Sequence, residues 1–357
     1  MFDYNEQIIE YHNVKVNLPQ PIRDKLRDHR KANQNRLMSN IPEGITINRN
    51  SFIKQGSYAM WTTIQEKDKA YDIDDGVIFS RSELQDKNSI DMTPQQVKEM
   101  VKNSLEDKRF NKKPEIKNNC VRVFYEEGHH VDIPAYRKYS NSNGRELKEI
   151  ASSDGWIISD PKRINAWFLN LIEQLNEKSE DAGGQLRRII RLLKRFSKSR
   201  GDKLDMPSGI KLTMLVAECF QPKIRDDEAF YYLIDILNKR LLHSLVVENL
   251  SDSGFPSEKL TRTNADSNMT VLKEKVKEAL DQLKILNSTN DIKVARAAWD
   301  WVFQSDGFFE AFDKDAKKAI DLYSKNALIS AGIAATESSG RISTFGVRNL
   351  PHKNYGE

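Results

Sequence analysis

The residues best able to do chemistry cluster between positions 55 and 79. Gln55-Gly56-Ser57 precedes a short segment and then the run Tyr71-Asp72-Ile73-Asp74-Asp75-Gly76-Val77-Ile78-Phe79. Ile73 to Phe79 reads as a buried strand. Strand side chains alternate between faces, so Asp72 and Asp74 project together while Ile73, Asp75 and Val77 face the other way. Two carboxylates on one face stay ionised only if a cation offsets their repulsion, and an all-oxygen donor set suits Mg²⁺ or Mn²⁺. Asp75 faces away and precedes Gly76, where a turn or capping role competes with a catalytic one, so it stays outside the metal set.

A third carboxylate comes from a hairpin pattern: Cys120 to Tyr125, a turn at Glu126-Glu127-Gly128-His129, and a return strand His130 to Pro134. Val131 and Ile133 take one face, His130 and Asp132 the other. Asp132 alone would be an ordinary hairpin aspartate; coupled to the earlier pair it becomes a third metal ligand. Three carboxylates can bridge two ions roughly 3.5 to 4 Å apart, the arrangement of two-metal phosphoryl transfer, and the third can help deprotonate the attacking hydroxyl. Gly56-Ser57 ahead of a helix offers backbone N–H groups and a hydroxyl to phosphates. Arg187, Arg191, Lys194 and Lys198 recur along one flank of a later helix, either as a solvated face or as a border for a triphosphate. His129 and His130 read as turn and strand positions without catalysis. With no H-E-x-x-H pattern and two widely spaced cysteines, Cys120 and Cys219, the sequence argues against a zinc site or a disulfide framework.

The elements that must hold these residues follow from periodicity. Ile22, Leu26, Asn33 and Leu37 mark an amphipathic helix ending near Pro42. Short apolar runs then predict strands at 45–47, 51–53, 73–79, 121–125 and 131–136, with a helix opened by Thr93-Pro94 between them. After Asp160-Pro161 the period is helical, interrupted by a turn-rich stretch at 249–269 and followed by helices at 270–287 and 290–304. Trp299 and Trp301 read as core. The expected organisation is a helix and catalytic core over 1–160, a helical lobe closing the cleft over 161–331, and a mobile tail over 332–357.

Within 357 residues, 56 basic and 52 acidic side chains nearly balance at +4, so net charge alone announces no nucleic-acid partner. The apolar runs are far shorter than the roughly 20 residues of a membrane span, and the first residues show no secretory signal; a cytoplasmic, membrane-free protein is expected.

The pattern resembles the DNA polymerase β-like nucleotidyltransferases, with their Gly-Ser turn, D-x-D strand and later single Asp on a neighbouring strand. Within them, Gln55-Gly56-Ser57-Tyr58, Asp72-Ile73-Asp74-Asp75-Gly76 and Val131-Asp132-Ile133-Pro134 resemble the cGAS/DncV-like enzymes of bacterial CBASS anti-phage systems. Arg187 to Phe196 is similar to the family helix bearing a triphosphate-binding lysine, here Lys194, and Met206-Pro207-Ser208 to the segment whose serine, here Ser208, meets the donor phosphates. Trp299 to Phe303 is similar to the closing helix, and the resemblance spans about residues 40 to 310.

The resemblance implies an α+β fold, a polymerase β-like core plus a C-terminal helical lobe, with two Mg²⁺ or Mn²⁺ ions as cofactors. It implies template-independent joining of nucleoside triphosphates, ATP and GTP foremost, into a cyclic di- or trinucleotide such as cyclic GMP-AMP that acts on a downstream effector. It further implies that Gln55 contacts the acceptor ribose or phosphate, that Arg122 faces the second nucleotide, and that Asp252 reads a purine edge. A regulatory protein or duplex RNA is the activator to expect. The alternatives are transfer of one nucleotide to an RNA end or a protein, and a nucleotide- or RNA-binding signalling module.

Overall fold

The computed structural model describes residues 1–66, 71–201, 204–252, 258–311 and the two-residue strands at 335–336 and 342–343. The tail expected from Gly332 otherwise lies outside the described residues. The elements carrying the site are β1 (Phe52–Gln55), β2 (Asp72–Ser80), β3 (Glu115–Ile116), β4 (Val121–Phe124), β5 (His130–Ile133), β6 (Ala135–Ser140), β7 (Glu146–Ser152) and β8 (Gly155–Ile158). Among them run helices α1 (Asn5–Tyr11), α2 (Gln20–Asn40), α3 (Gly56–Met60) and α4 (Pro94–Leu105). Then come α5 (Pro161–Lys178), α6 (Ala182–Ser199), α7 (Gly209–Cys219), α8 (Asp226–His243), α9 (Ser267–Leu283) and α10 (Ile292–Phe303). The architecture is α+β, a mixed sheet with helices followed by a helical region.

The strands form one eight-stranded sheet in the order β3-β4-β5-β2-β6-β7-β8, with β1 on the free edge of β2. β5 and β6 pair parallel to β2 with one continuous register, Asp72 opposite His130 and Val77 opposite Ala135. They are a single long strand interrupted at Pro134, which has no N–H to give the ladder; its carbonyl accepts from Val77 N at 2.9 Å. One face of the sheet packs under α2 and α4, where Ile73, Val77, Val131 and Ile133 meet Leu26, Leu37, Val97 and Val101 in a buried core. α4 starts as expected: Thr93 and Gln96 form a reciprocal capping box with Pro94 in the first turn.

A second core joins α5 to α10 and includes Leu186, Ile189, Leu193, Phe196, Phe230 and the fully buried Trp299. The chain's first residues belong to it. Tyr4, Ile8, Tyr11 and Val16 are buried there, and α1 and α8 cap each other, Tyr4 N donating to Asp227 Oδ2 at 2.8 Å and Asp226 N to Asn5 Oδ1 at 2.7 Å. The cysteines are buried free thiols. Among the described residues no helix is long and apolar enough to cross a membrane.

Two segments differ from the periodicity reading. Residues 45–47 form no strand, because Asn48 caps a 3₁₀ turn at Arg49–Ser51 that breaks the extended run; Ile45 and Ile47 only rest on the rim of the core. Conversely, β7 and β8 extend the sheet although Glu146-Leu147-Lys148-Glu149 carries little apolar alternation. Ion pairs hold this edge: Arg137 Nε meets Glu149 at 2.6 Å, and Lys148 Nζ meets Glu146 at 2.9 Å and Asp160 at 3.2 Å.

Candidate active site

Strand register assembles the carboxylates. β2 and β5 run parallel with Asp74 opposite Asp132, so both side chains leave the sheet on the face away from α2 and α4. Asp72 lies two residues earlier on the same face, and its carboxylate makes an ion-pair contact with the His130 imidazole opposite it. Asp75 points the other way and is buried against α2, with Gln34 Nε2 at 2.7 Å and Arg30 at 3.2 Å. Alternation therefore divides the D-I-D-D run as expected, Asp72 and Asp74 on the open face, where Asp132 joins them, and Asp75 anchoring a helix.

The charges are strongly coupled. Burial pushes the Asp74 carboxyl up to about 7, and the neighbouring Asp132 and Asp72 push in the same direction. Partial desolvation would raise Asp72 as well, but the His130 hydrogen bond and charge, with Arg122 and Lys198, hold it below the ordinary carboxylate range. Arg122, opposite Asp132 on β4, donates from Nε and Nη2 to the two oxygens of Asp132, both at 2.7 Å. Its guanidinium is thus turned to the carboxylate set.

β1 brings Gln55 opposite Asp74, and the chain turns into α3 through Gly56. Gly56 has φ +59°, and a Cβ there would lie 2.2 Å from Asp74 Oδ2, so the turn requires glycine for both backbone and space. Ser57 Oγ is 3.1 Å from Thr63 Oγ1. Gln55 is buried; its Oε1 accepts from Tyr136 Oη at 2.8 Å and its Nε2 has no partner.

Three cations of α6 hold the far end of α3. Arg187 Nε donates to Met60 O at 3.2 Å, Arg191 Nη1 to Trp61 O at 2.7 Å and Lys194 Nζ to Thr62 O at 3.2 Å. The flank that could have been a solvated face is thus a ladder onto three consecutive carbonyls, placing positive charge at a helix C-terminus. Lys194 Nζ also reaches Thr62 Oγ1 at 3.0 Å; burial, then Arg191, lower its pKa to about 7.

Between the lobes lies a cavity of about 200 Å³ lined by Ser57, Thr62, Thr63, Asp72, Lys194 and Lys198, with Pro207 and Gly209 on the α7 side. Ser208 stands between those two as the exposed N-cap of α7, its side chain making no capping bond. Asp252 sits apart from this cavity, 3.0 Å from Arg163 Nη1 and accepting from Glu258 N at 2.9 Å. The structure therefore lines one cavity with Asp72, Ser57 and Lys194, sets Asp74 and Asp132 in register beside Asp72 with Gly56 against Asp74, places Ser208 between two lining residues, gives Arg122 to Asp132, turns Gln55 inward and leaves Asp252 in its own loop network. Sequence reading missed His130 as the partner of Asp72, although its place two residues before Asp132 puts it on the same strand face. Thr62 and Thr63 carried no pattern to find.

Residues 50–136 match a family model described as cyclic GMP-AMP synthase DncV-like, nucleotidyltransferase domain. A cyclic GMP-AMP synthase of Escherichia albertii is 30% identical over 207 residues; the match spans 56% of this chain but only 43% of that relative. Among solved structures, a mutant Vibrio cholerae dinucleotide cyclase DncV in complex with ATP and GTP superposes with a TM-score of 0.65 at 16% identity, covering 84% of this chain and 95% of the other. The Bradyrhizobium diazoefficiens CD-NTase CdnG in complex with GTP gives 0.65 at 15% identity, covering 86% and 97%. At such identities the superpositions speak for the fold, while the matched domain contains the Gly56-Ser57 turn, the Asp72–Asp74 strand and Asp132. With these carboxylates on a mixed sheet facing a helical region, residues 50–136 form a cGAS/DncV-like nucleotidyltransferase domain.

Proposed function

We propose that this nucleotidyltransferase joins nucleoside triphosphates, ATP and GTP, without a template into a cyclic di- or trinucleotide, a purine cyclic dinucleotide such as cyclic GMP-AMP foremost. The observation that carries the reading is the in-register pair Asp74 and Asp132 with Asp72 beside them, Asp72 lining a cavity that also presents Ser57 and Lys194. Three carboxylates crowded until one holds its proton to about pH 7 are a donor set that fits Mg²⁺ or Mn²⁺. Asp72, Asp74 and Asp132 would hold two such ions, which when bound supply the charge that eases ionisation of a sugar hydroxyl and offsets the departing pyrophosphate.

The chain's own residues account for the rest. Gly56 lets the backbone approach the phosphates, and Ser57 adds a hydroxyl. Charged Lys194 has three N–H donors, of which Thr62 takes two, leaving one for the triphosphate, and Ser208, between the lining residues Pro207 and Gly209, would add its hydroxyl. Arg122 keeps the Asp132 carboxylate oriented, and Gln55 would reach the acceptor nucleotide only by turning its buried, unpartnered Nε2 outward. In each round a 3′-hydroxyl oxygen bonds to an α-phosphorus, the bond to the bridging oxygen breaks, pyrophosphate leaves and the hydroxyl proton passes to a carboxylate. Two rounds close a cyclic dinucleotide. The product would act on a separate effector in anti-phage defence.

The test is to incubate the purified chain with ATP, GTP and Mg²⁺ or Mn²⁺ and read the products by mass spectrometry after phosphatase treatment. A phosphatase-resistant cyclic product, absent with Asp72→Ala/Asp74→Ala, is expected. Label retained on RNA or protein instead would favour single-nucleotide transfer, and equal product from the double variant would end the reading.

A further inference from the structure

On the opposite side of the sheet from the cleft, α2 crosses the turn between β4 and β5. There His29 of α2 meets Glu127 and His129 of the turn, and one ligand atom from each, two imidazole nitrogens and a carboxylate oxygen, lie within 4.8 Å of one another. His29 Nδ1 is 2.6 Å from His129 Nε2. The two rings are within 13° of parallel with centroids 4.8 Å apart, so at that nitrogen separation they meet edge to edge, each aiming a ring nitrogen at the other. Tyr125 fixes this geometry, stacking on His29 at 3.9 Å and 5° while its hydroxyl donates to the His29 carbonyl at 3.3 Å. The turn is closed by Tyr125 N to His129 O and by Gly128 at φ +100°. His129 is buried; His29 and Glu127 are partly so.

The geometry points to a second metal site here, one for a transition ion of the Zn²⁺ class held by His29, Glu127 and His129 with a fourth position for water. Burial lowers the pKa of both imidazoles, which favours the neutral form whose one lone pair suits such an ion. Nitrogen–zinc distances of about 2.0 to 2.1 Å at tetrahedral angles place two ligand nitrogens roughly 3.3 Å apart, so the rings need to part by well under 1 Å. Glu127 now pairs with Lys25 Nζ at 2.6 Å, and one carboxylate oxygen can keep that partner while the other binds the ion. The nitrogen-containing donor set separates this site from the all-oxygen cluster, which favours harder ions. Its place is structural: it would tie α2 to the turn that launches β5, the strand bearing His130 and Asp132. Nothing in this site depends on the reaction proposed for the cleft.

The test uses the full chain, stripped with a chelator, in the Asp72→Ala/Asp74→Ala background so that the cleft carboxylates do not contribute, alongside the wild type in excess Mg²⁺. Titration with Co²⁺ should give one equivalent with visible ligand-field bands that Zn²⁺ abolishes and Mg²⁺ does not. His29→Ala and His129→Ala should remove the bands, and Glu127→Gln, a mild change on a partly exposed turn, should weaken binding at least tenfold, in each case with unchanged far-ultraviolet circular dichroism. A folded parent chain that binds no Co²⁺ stoichiometrically, or binding unchanged in the histidine variants, overturns the proposal and leaves a hydrogen-bonded imidazole pair.

Discussion

Arg122 grips Asp132 with two parallel hydrogen bonds of 2.7 Å, one to each carboxylate oxygen, from the neighbouring strand of the same hairpin. This pairing sets a guanidinium against a mostly buried carboxylate beside Asp74. Arg122→Gln should therefore destabilise the metal-free protein by about 1–3 kcal/mol, since it leaves an unpaired, desolvated charge. Denaturation in chelator reads this, and Mn²⁺ should restore part of the loss. An unchanged metal-free stability with only a higher KM for triphosphate would place Arg122 on the nucleotide alone.

Asp74 sets a pH signature. Its folded-state carboxyl is raised from 3.8 to about 7, so the folded chain holds that proton more tightly than the unfolded one. The contribution is fully present below about pH 4 and is lost as pH rises through 7. Asp74→Asn should thus exceed the wild type in stability by about 1–3 kcal/mol at pH 8 without divalent cations, and the gap should close toward pH 4. Added Mn²⁺ should stabilise the wild type and not the variant in thermal denaturation.

Lys194 behaves with the opposite sign. Burial lowers its pKa from 10.5 to about 7, so the unfolded chain holds a proton that the folded chain has released between those values. Its cost to stability is full below about pH 7 and fades as pH rises to about 10.5. Lys194→Met should be about 1–3 kcal/mol more stable than wild type at pH 6.5, after allowing for the lost Thr62 hydrogen bonds, and less so at pH 9.5. The same variant should bind triphosphate at least tenfold more weakly. Because charging the amine supplies the third donor, binding at pH 8 should take up a proton, measurable by calorimetry in buffers of different ionisation enthalpy.

Gly56→Ala should cost about 2 kcal/mol or more from its left-handed backbone and its clash with Asp74 Oδ2, and should lower turnover by two orders of magnitude or more through the displaced carboxylate. Gly44→Ala is the control. Gly44 also has a positive φ, +89°, but a Cβ there meets nothing within 4 Å, so about 1 kcal/mol of strain with unchanged turnover is expected. Equal turnover losses in both variants would remove the steric argument.

Much of the site was legible because its residues obey period two. Asp72, Asp74 and Asp132 could be placed on shared faces from alternation alone, and the parallel register then brought Asp74 to Asp132. The α6 stripe of Leu186, Ile189, Leu193 and Phe196 was equally plain from its helical period. What stayed hidden depends on partners distant in sequence. Nothing in Arg187, Arg191 and Lys194 says that their acceptors are carbonyls more than 120 positions earlier, and nothing in Arg122 chooses between a nucleotide and the aspartate across the hairpin. The β7–β8 hairpin escaped because ion pairs, not apolar alternation, hold it, and His29 offers no local hint of meeting His129 a hundred residues later.

The cation ladder has a mechanical consequence. By gripping Met60, Trp61 and Thr62, α6 ties the Gly56-Ser57 turn to the helical lobe, although the strand feeding that turn belongs to the sheet. The joint between Gln55 and Gly56 lies where an added Cβ would clash with Asp74 Oδ2. Rotation at that joint changes the spacing between Ser57 and the carboxylates directly. Any displacement of α6 would therefore carry the Gly56-Ser57 turn with it relative to Asp72, Asp74 and Asp132.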